Sequence, residues 1–459
     1  MSPVILATAI LLSAAALAVA PKAKPPAQQF PKSWQLAFVR DGNIWVMPGS
    51  GGKEERLTQD GKSVFPLWSP DGRRILFLKA VFVNESAEVS RESMMQTTGC
   101  HLWVMDADGK NARRLFGDAD AFAFPWQSYE YLGSRDYRQS NWSPNGEWIA
   151  CASTNRESLK TEHHDSPCLS DLWVVKSDGS AKKRLAAGEP TYRGYLTSYL
   201  WSPDSRRLVY WNALRHWGLF TLIDLNGRAR AFRTPQISRS ASLGLHDPCL
   251  AWARNGKHIL VGRNSIWGDS GPFVSELYRL SLDGHASRLP INPYWFSAFS
   301  HKVDRVAYDM HRRIKGKNSK ILYVSRLDGS RRIRMSARPE DGTDTQVLWS
   351  PDDAWIAHCV PFGESVTTVR PSGSARHAHS FRIPHAWRIV RAQWAPDSRH
   401  LIVHAAPTRN DEDESDAGDI YVADAVDGTW TQLTKGAACQ DVDVGSIPGT
   451  HGSITRAGR

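Results

Sequence analysis

Short apolar runs alternate with polar turn residues along most of the chain. They are too short for helices and are rich in β-branched and aromatic residues. Arg74-Ile75-Leu76-Phe77-Leu78, Trp148-Ile149-Ala150, Arg207-Leu208-Val209-Tyr210, His258-Ile259-Leu260-Val261, Trp355-Ile356-Ala357 and Leu401-Ile402-Val403 read as buried strands. A copy of one turn precedes each: Trp68-Ser69-Pro70-Asp71-Gly72, Trp142-Ser143-Pro144-Asn145-Gly146, Trp201-Ser202-Pro203-Asp204-Ser205, Trp252-Ala253-Arg254-Asn255-Gly256, Trp349-Ser350-Pro351-Asp352-Asp353 and Trp394-Ala395-Pro396-Asp397-Ser398. Phe299-Ser300-His301 holds the same place in degenerate form. Pro presets the first central dihedral, and Asp or Asn with Gly supplies the positions that follow. The copies lie about 45–75 residues apart, a period that marks a solenoid, a propeller or an array.

A second repeat interleaves with the first. Asn43-Ile44-Trp45-Val46-Met47, His101-Leu102-Trp103-Val104-Met105, Asp171-Leu172-Trp173-Val174-Val175, Glu276-Leu277-Tyr278-Arg279-Leu280, Lys320-Ile321-Leu322-Tyr323-Val324 and Asp419-Ile420-Tyr421-Val422 share one pattern. Gly218-Leu219-Phe220-Thr221-Leu222 and Ser365-Val366-Thr367-Thr368-Val369 are looser copies, which brings the set to eight. Most are followed by Asp-Gly or Asn-Gly, the strongest short hairpin signal, and then by a basic strand such as Arg113-Arg114-Leu115. Each unit therefore reads as a four-stranded antiparallel meander. The expected fold is all-β, a single β-propeller of eight blades, or seven if the Ser365 copy merges with a neighbour. The first unit lacks an innermost strand and Cys439 to Ser446 has none to pair with, so the C-terminal strand is expected to close the ring.

These units resemble the β-propeller repeats of TolB-type periplasmic proteins, which read W-S-P-D-G, apolar strand, I-Y-V-M-D-x-D-G, then R-L-T. The resemblance covers Trp34 to about Val444 and implies the fold first of all, because propellers host many activities. TolB carries an α/β domain ahead of its propeller, whereas the repeats here begin almost at once; that departure counts against an orthologous Tol-Pal role.

Residues 1–20 have the composition of an export signal, with an apolar Val4 to Ala20 and an A-x-A pattern at Ala16-Leu17-Ala18. Residues 21–32 read as a Pro/Lys-rich linker, 33–446 as the propeller and 447–459 as a tail, in a periplasmic or secreted monomer. The net charge of +10 would suit nucleic acid, but export argues against it. Arg73-Arg74, Arg206-Arg207 and Arg331-Arg332 read as solvated outer edges, with peripheral attraction to anionic envelope surfaces as a consequence. Among the six cysteines, Cys100 and Cys168 precede the same strand in adjacent units and are a disulfide candidate. Cys151 and Cys359 read as buried thiols.

Strand parity places function. The Pro-Asp-Gly and Asp-Gly turns open on one face, so the long connections, such as Asp118 to Gln139 and Asn264 to Phe273, collect on the other. Aromatics there, Trp126, Tyr129, Tyr131, Tyr192, Tyr195, Trp267, Trp295 and Trp387, form the candidate binding face, suited to an envelope protein or polymer. His163, His164 and Asp165, and the acidic run from Asp411 to Asp416, have the ligand chemistry for a divalent cation but no recognised spacing. Gly268-Asp269-Ser270-Gly271-Pro272 and Ala357-His358-Cys359 look like protease segments in reversed order and are set aside. The reading is a non-catalytic binding scaffold of the cell envelope without a cofactor. The competing class is a metal-dependent polysaccharide lyase or hydrolase on a propeller, which would need His163, His164 and His246 to converge with a carboxylate.

Overall fold

The computed structural model describes residues 34–447, apart from 82–98, 117–120, 125–141, 156–167, 192–197, 212–218, 234–248, 267–272, 294, 315–316, 336–345, 360–363, 372–377, 385–386 and 409–416. Its strands form eight antiparallel four-stranded sheets, the blades of a β-propeller. Blade 1 combines Trp34–Arg40, Asn43–Pro48 and Glu55–Arg56 with Gln440–Ser446. Blades 2, 3 and 4 begin at Ser63, Ala121 and Ser198, and blades 5 to 8 at Cys249, Trp295, Gln346 and Trp387. The Ser365 copy is a strand of its own blade, Ser365–Val369, paired on both sides, so the ring has eight blades rather than seven. Closure is by the C-terminal strand: Leu36 pairs with Val444 and Trp34 with Ser446, which removes the open edge of blade 1.

The turn motif folds the same way in each blade that keeps it. The Ser69 hydroxyl donates to Asp71 at 2.6 Å and accepts from the Arg74 amide at 2.9 Å, and Gly72 N–H closes the turn on Ser69 C=O at 2.9 Å. Ser143, Ser202 and Ser350 repeat these bonds with Asn145, Asp204 and Asp352. Serine and Asp/Asn thus satisfy the backbone where the strand pair ends.

The apolar faces of the strands pack between blades. Leu76, Leu78, Leu102 and Val104 of blade 2 lie against Trp142, Ile149 and Cys151 of blade 3. Trp34, Leu36 and Phe38 of blade 1 lie against Ile402, Ile420 and Val422 of blade 8, in one cluster with Val442 and Val444 of the closing strand. Each such buried aliphatic contributes about 1.5–3 kcal/mol.

Blade 3 departs from the expected pattern. Its innermost strand is Ala121–Phe124, paired with the far end of Trp148–Asn155, and Trp142 holds the near end through a single bridge to Ile149. Phe122 and Phe124, within the stretch from Asp118 to Gln139 read from sequence as a connection, are strand residues, sharing one strand position with Trp142.

Candidate functional site

The two faces of the ring are built differently. On the face of the short turns, three concentric sets of contacts join successive blades. Innermost, Trp142 Nε1 donates to Leu67 C=O at 3.4 Å, Trp252 to Leu200 at 3.3 Å and Trp394 to Leu348 at 3.1 Å, each reaching the preceding blade. Next, the guanidiniums of Arg74, Arg207 and Arg305 lie 5.4, 5.8 and 4.9 Å from the rings of Trp142, Trp252 and Trp349 in the following blade. Outermost, Arg113 donates to Ser177 C=O at 2.8 Å, Lys183 to Leu225 C=O and Arg230 to Leu282 C=O at 3.1 Å, again in the following blade. Arg74 and Arg207 therefore serve as blade-to-blade staples, which corrects their reading as solvated outer edges.

The last turn position has exceptions to glycine. Gly72, Gly146 and Gly256 have positive φ there, but so do Ser205 (φ 60), Val303 (φ 58), Asp353 (φ 61) and Ser398 (φ 58). In all of these exceptions but Val303 the side chain reaches back to the previous turn. Ser205 accepts from Asn145 N–H and Ser398 from Asp352 N–H, both at 3.1 Å. Asp353 accepts from His301 N–H at 2.7 Å and Lys302 N–H at 2.8 Å. Burial alone would raise the Asp353 carboxyl, but the His301 ring and these amides hold it below the usual carboxylate range.

The seam between blades 8 and 1 carries a polar network centred on the Asp397 and Asp424 carboxylates. Asp397 accepts from Trp34 Nε1 at 2.8 Å and His400 Nδ1 at 2.6 Å, and from the amides of Arg399 and His400 at 3.0 Å each. Burial pushes its carboxyl up, yet the His400 hydrogen bond and charge leave it below the ordinary range. Asp424, buried, takes Arg399 Nε at 2.7 Å, and His400 Nε2 lies 3.6 Å away. At the opposite end of the same strand, Asp419–Asp424, Asp419 accepts from Thr434, Gly436 and Ala437, ordering the segment that leads into the closing strand. His404 Nε2 reaches Cys439 C=O at 2.8 Å. These groups tie one strand to the next, and among the described residues no cluster of three His, Cys, Asp or Glu side chains is arranged to hold a metal ion.

All the connections from second to third strand, and from fourth strand to the next blade, leave from the opposite face. Trp126, Tyr129, Tyr131, Tyr192, Tyr195 and Trp267 lie outside the described residues, as do His163, His164, Asp165 and His246. Trp295 and Trp387, read as connection residues, instead open the innermost strands Trp295–Phe299 and Trp387–Trp394. Trp387 is half-buried and meets Tyr421 edge-on at 6.5 Å. Cys100 and Cys168 stand near the same end of the third strands of blades 2 and 3, with their side chains outside the described set. Cys151, Cys359 and Cys439 are buried, and burial pushes Cys151 up to about 12 and Cys439 up to about 11. His358 is buried in Ile356–Cys359, between Val347 and Thr367. Sequence reading missed one feature of this face, the long hairpin Arg305–Ile314 and Lys317–Arg326, although Lys315-Gly316 between two strand-like runs was a usable signal.

No family model and no curated protein matches the chain. Solved structures match its fold. The crystal structure of the eukaryotic initiation factor superposes with a TM-score of 0.50 at 9% identity, over 90% of this chain and 98% of that one. The β-propeller domain of the Trilobed protease from Pyrococcus furiosus gives 0.48 at 14% identity, over 82% and 95%. TolB from Acinetobacter baumannii gives 0.32 at 12% identity, over 67% of this chain and 65% of that one. At these identities the likeness is one of fold.

Proposed function

We propose that the protein is an exported, non-catalytic scaffold of the cell envelope, TolB-like in its repeats, that binds a protein or polymer on its loop face. One observation carries this reading: the ring is asymmetric. The polar groups of the short-turn face are engaged in joining blade to blade, while the long connections leave a rigid, closed ring from the other face. Loops on a rigid frame are where binding surfaces are built. Aromatic residues concentrated in those connections supply contact area at low entropic cost. The leader-like composition of residues 1–20 supports a periplasmic or secreted location.

The test is capture from envelope extract by the purified chain, compared with Trp126→Ala/Tyr129→Ala. Saturable capture of a defined component, lost in the double variant at unchanged melting temperature, supports the reading. Capture equal in both proteins removes the loop face as the site. Elemental analysis of the same preparation separates the competing class: a stoichiometric divalent metal with metal-dependent polysaccharide cleavage would establish an enzyme and overturn the scaffold.

A further inference from the structure

Neighbouring blades 5 and 6 send long hairpins out of the loop face. In blade 5, pairing runs from His258 with Ser281 to Ile266 with Phe273, whereas the innermost strand stops at Cys249 with Gly262. In blade 6 it runs from Arg305 with Arg326 to Ile314 with Lys317, whereas the flanking strands stop at Trp295 with Asp309 and Tyr323 with Arg334. Four pairs of blade 5 and five of blade 6 thus lie beyond their flanking strands. At a rise of about 3.4 Å per residue, the two arms are roughly 14 and 17 Å long.

Their chemistry differs. Between Met310 and Ile321 the blade 6 arm carries Arg312, Arg313, Lys315, Lys317 and Lys320 with His311, and no Asp or Glu. The blade 5 arm pairs Arg263 with Glu276 at its base and ends in Ile266 opposite Phe273, followed by Val274. Cations on an unpaired ribbon also discourage edge-to-edge association. That need applies equally to blade 5, whose arm from Arg263 to Glu276 has one Arg against Asp269 and Glu276, so edge protection does not account for five cations on blade 6 alone.

We propose that the two arms form a peripheral docking site for an anionic lipid bilayer. The Arg312, Arg313, Lys317 and Lys320 positions match headgroup phosphates. Ile266, Phe273 and Ile314, at the ends of the arms, provide the apolar component that interfacial binding adds to charge. Apolar residues at the outermost register positions, with cations beside and behind them, favour a lipid surface over a soluble polyanion, which would use the cations alone. The inference needs only the fold and stands whether or not the loop face also binds an envelope partner.

Co-sedimentation of the purified full chain with vesicles of equal parts phosphatidylcholine and phosphatidylglycerol, and with phosphatidylcholine alone, tests it. Binding is expected on the anionic vesicles. Arg312→Ser/Arg313→Ser/Lys317→Ser/Lys320→Ser should lower it at least about 50-fold. Arg73→Ser/Arg228→Ser/Arg254→Ser/Lys257→Ser removes the same formal charge from the short-turn face and should retain most of it. If the first variant melts early, Arg313→Gln/Lys317→Gln serves, with a loss of about tenfold. Ile314→Ser/Phe273→Ser should weaken the binding that survives in high salt. Equal loss in the two quadruple variants, or no preference for anionic vesicles, overturns the proposal. So does wild-type behaviour of the apolar variant combined with full displacement by soluble polyphosphate, which would assign the arms to a soluble polyanion.

Discussion

Asp397 is the residue on which the seam converges, since one carboxylate serves Trp34 of blade 1, the His400 ring and two amides of its own turn. Its hydrogen bonds favour the charged form, which is why it stays ionised despite burial. A carboxyl whose folded pKa is depressed gives stability that is present above the unfolded value, about 3.9, and is lost as pH falls through the folded one. Asp353 adds to the same window. Asp397→Asn should therefore cost roughly 1.5–3 kcal/mol at neutral pH. It should also flatten the acid limb of the stability curve below about pH 4. Denaturant titrations from neutral to acid pH check this, and parallel curves for the two proteins would refute it. At Asp353 the consequence is more local. Asp353→Ala strands the amides of His301 and Lys302 and keeps a positive φ without its compensation, at a cost of about 2–4 kcal/mol by chemical denaturation. Asp353→Gly relieves the φ strain and should fall between the two; no difference between Ala and Gly would mean that backbone strain has no part.

At the level of the strand and turn, the Trp of the motif links one blade to the next, as at Trp142, Trp252 and Trp394. Trp142 is fully buried, donates to Leu67 C=O and lies beneath Arg74. Trp142→Ala should destabilise the fold by about 3–5 kcal/mol, and an unchanged melting temperature would contradict the role assigned to the motif. Such elements were legible in the sequence because Ser, Pro, Asp and Gly act within five residues, so the turn is spelled out by the chain that makes it. Two things were not. The split innermost strand of blade 3 is interrupted between Phe124 and Trp142, and no local pattern says that Ala121–Phe124 and Trp142 share one strand position. The staples of Arg74, Arg113 and Arg207 depend on partners in the next blade, and without that neighbour an arginine after a turn reads as solvated. The candidate site was legible as a face, from strand parity, but not as residues: Trp295 and Trp387 proved to be strand starts, since aromatic residues begin strands as readily as they populate loops.

For the whole molecule, stability depends on closing a ring whose first and last blades are joined by the C-terminal segment as well as by the direct contacts of Trp34 with blade 8. A propeller blade contacts its two neighbours, so an opened ring exposes an edge and two half-cores at once. The segment is held before it pairs: Asp419 takes the amides of Gly436 and Ala437 at 3.0 Å each, and Cys439 bridges to Gly418. It then buries Val442 and Val444 against blades 1 and 8. Ending the chain at Lys435 removes the latch and the strand together. The loss of two buried valines and the pairing with Trp34–Arg40 is on the order of 5 kcal/mol. It also leaves that strand as an exposed, apolar edge. The truncated chain should melt several degrees lower and aggregate in a concentration-dependent way, measured by scattering during a thermal ramp. Asp419→Ala, which loosens the latch but keeps the strand, should lower the melting temperature without aggregation. If the truncated chain instead unfolds like the full one and stays monomeric, the remaining three strands of blade 1 hold the ring without their fourth, and closure contributes order at the seam rather than stability.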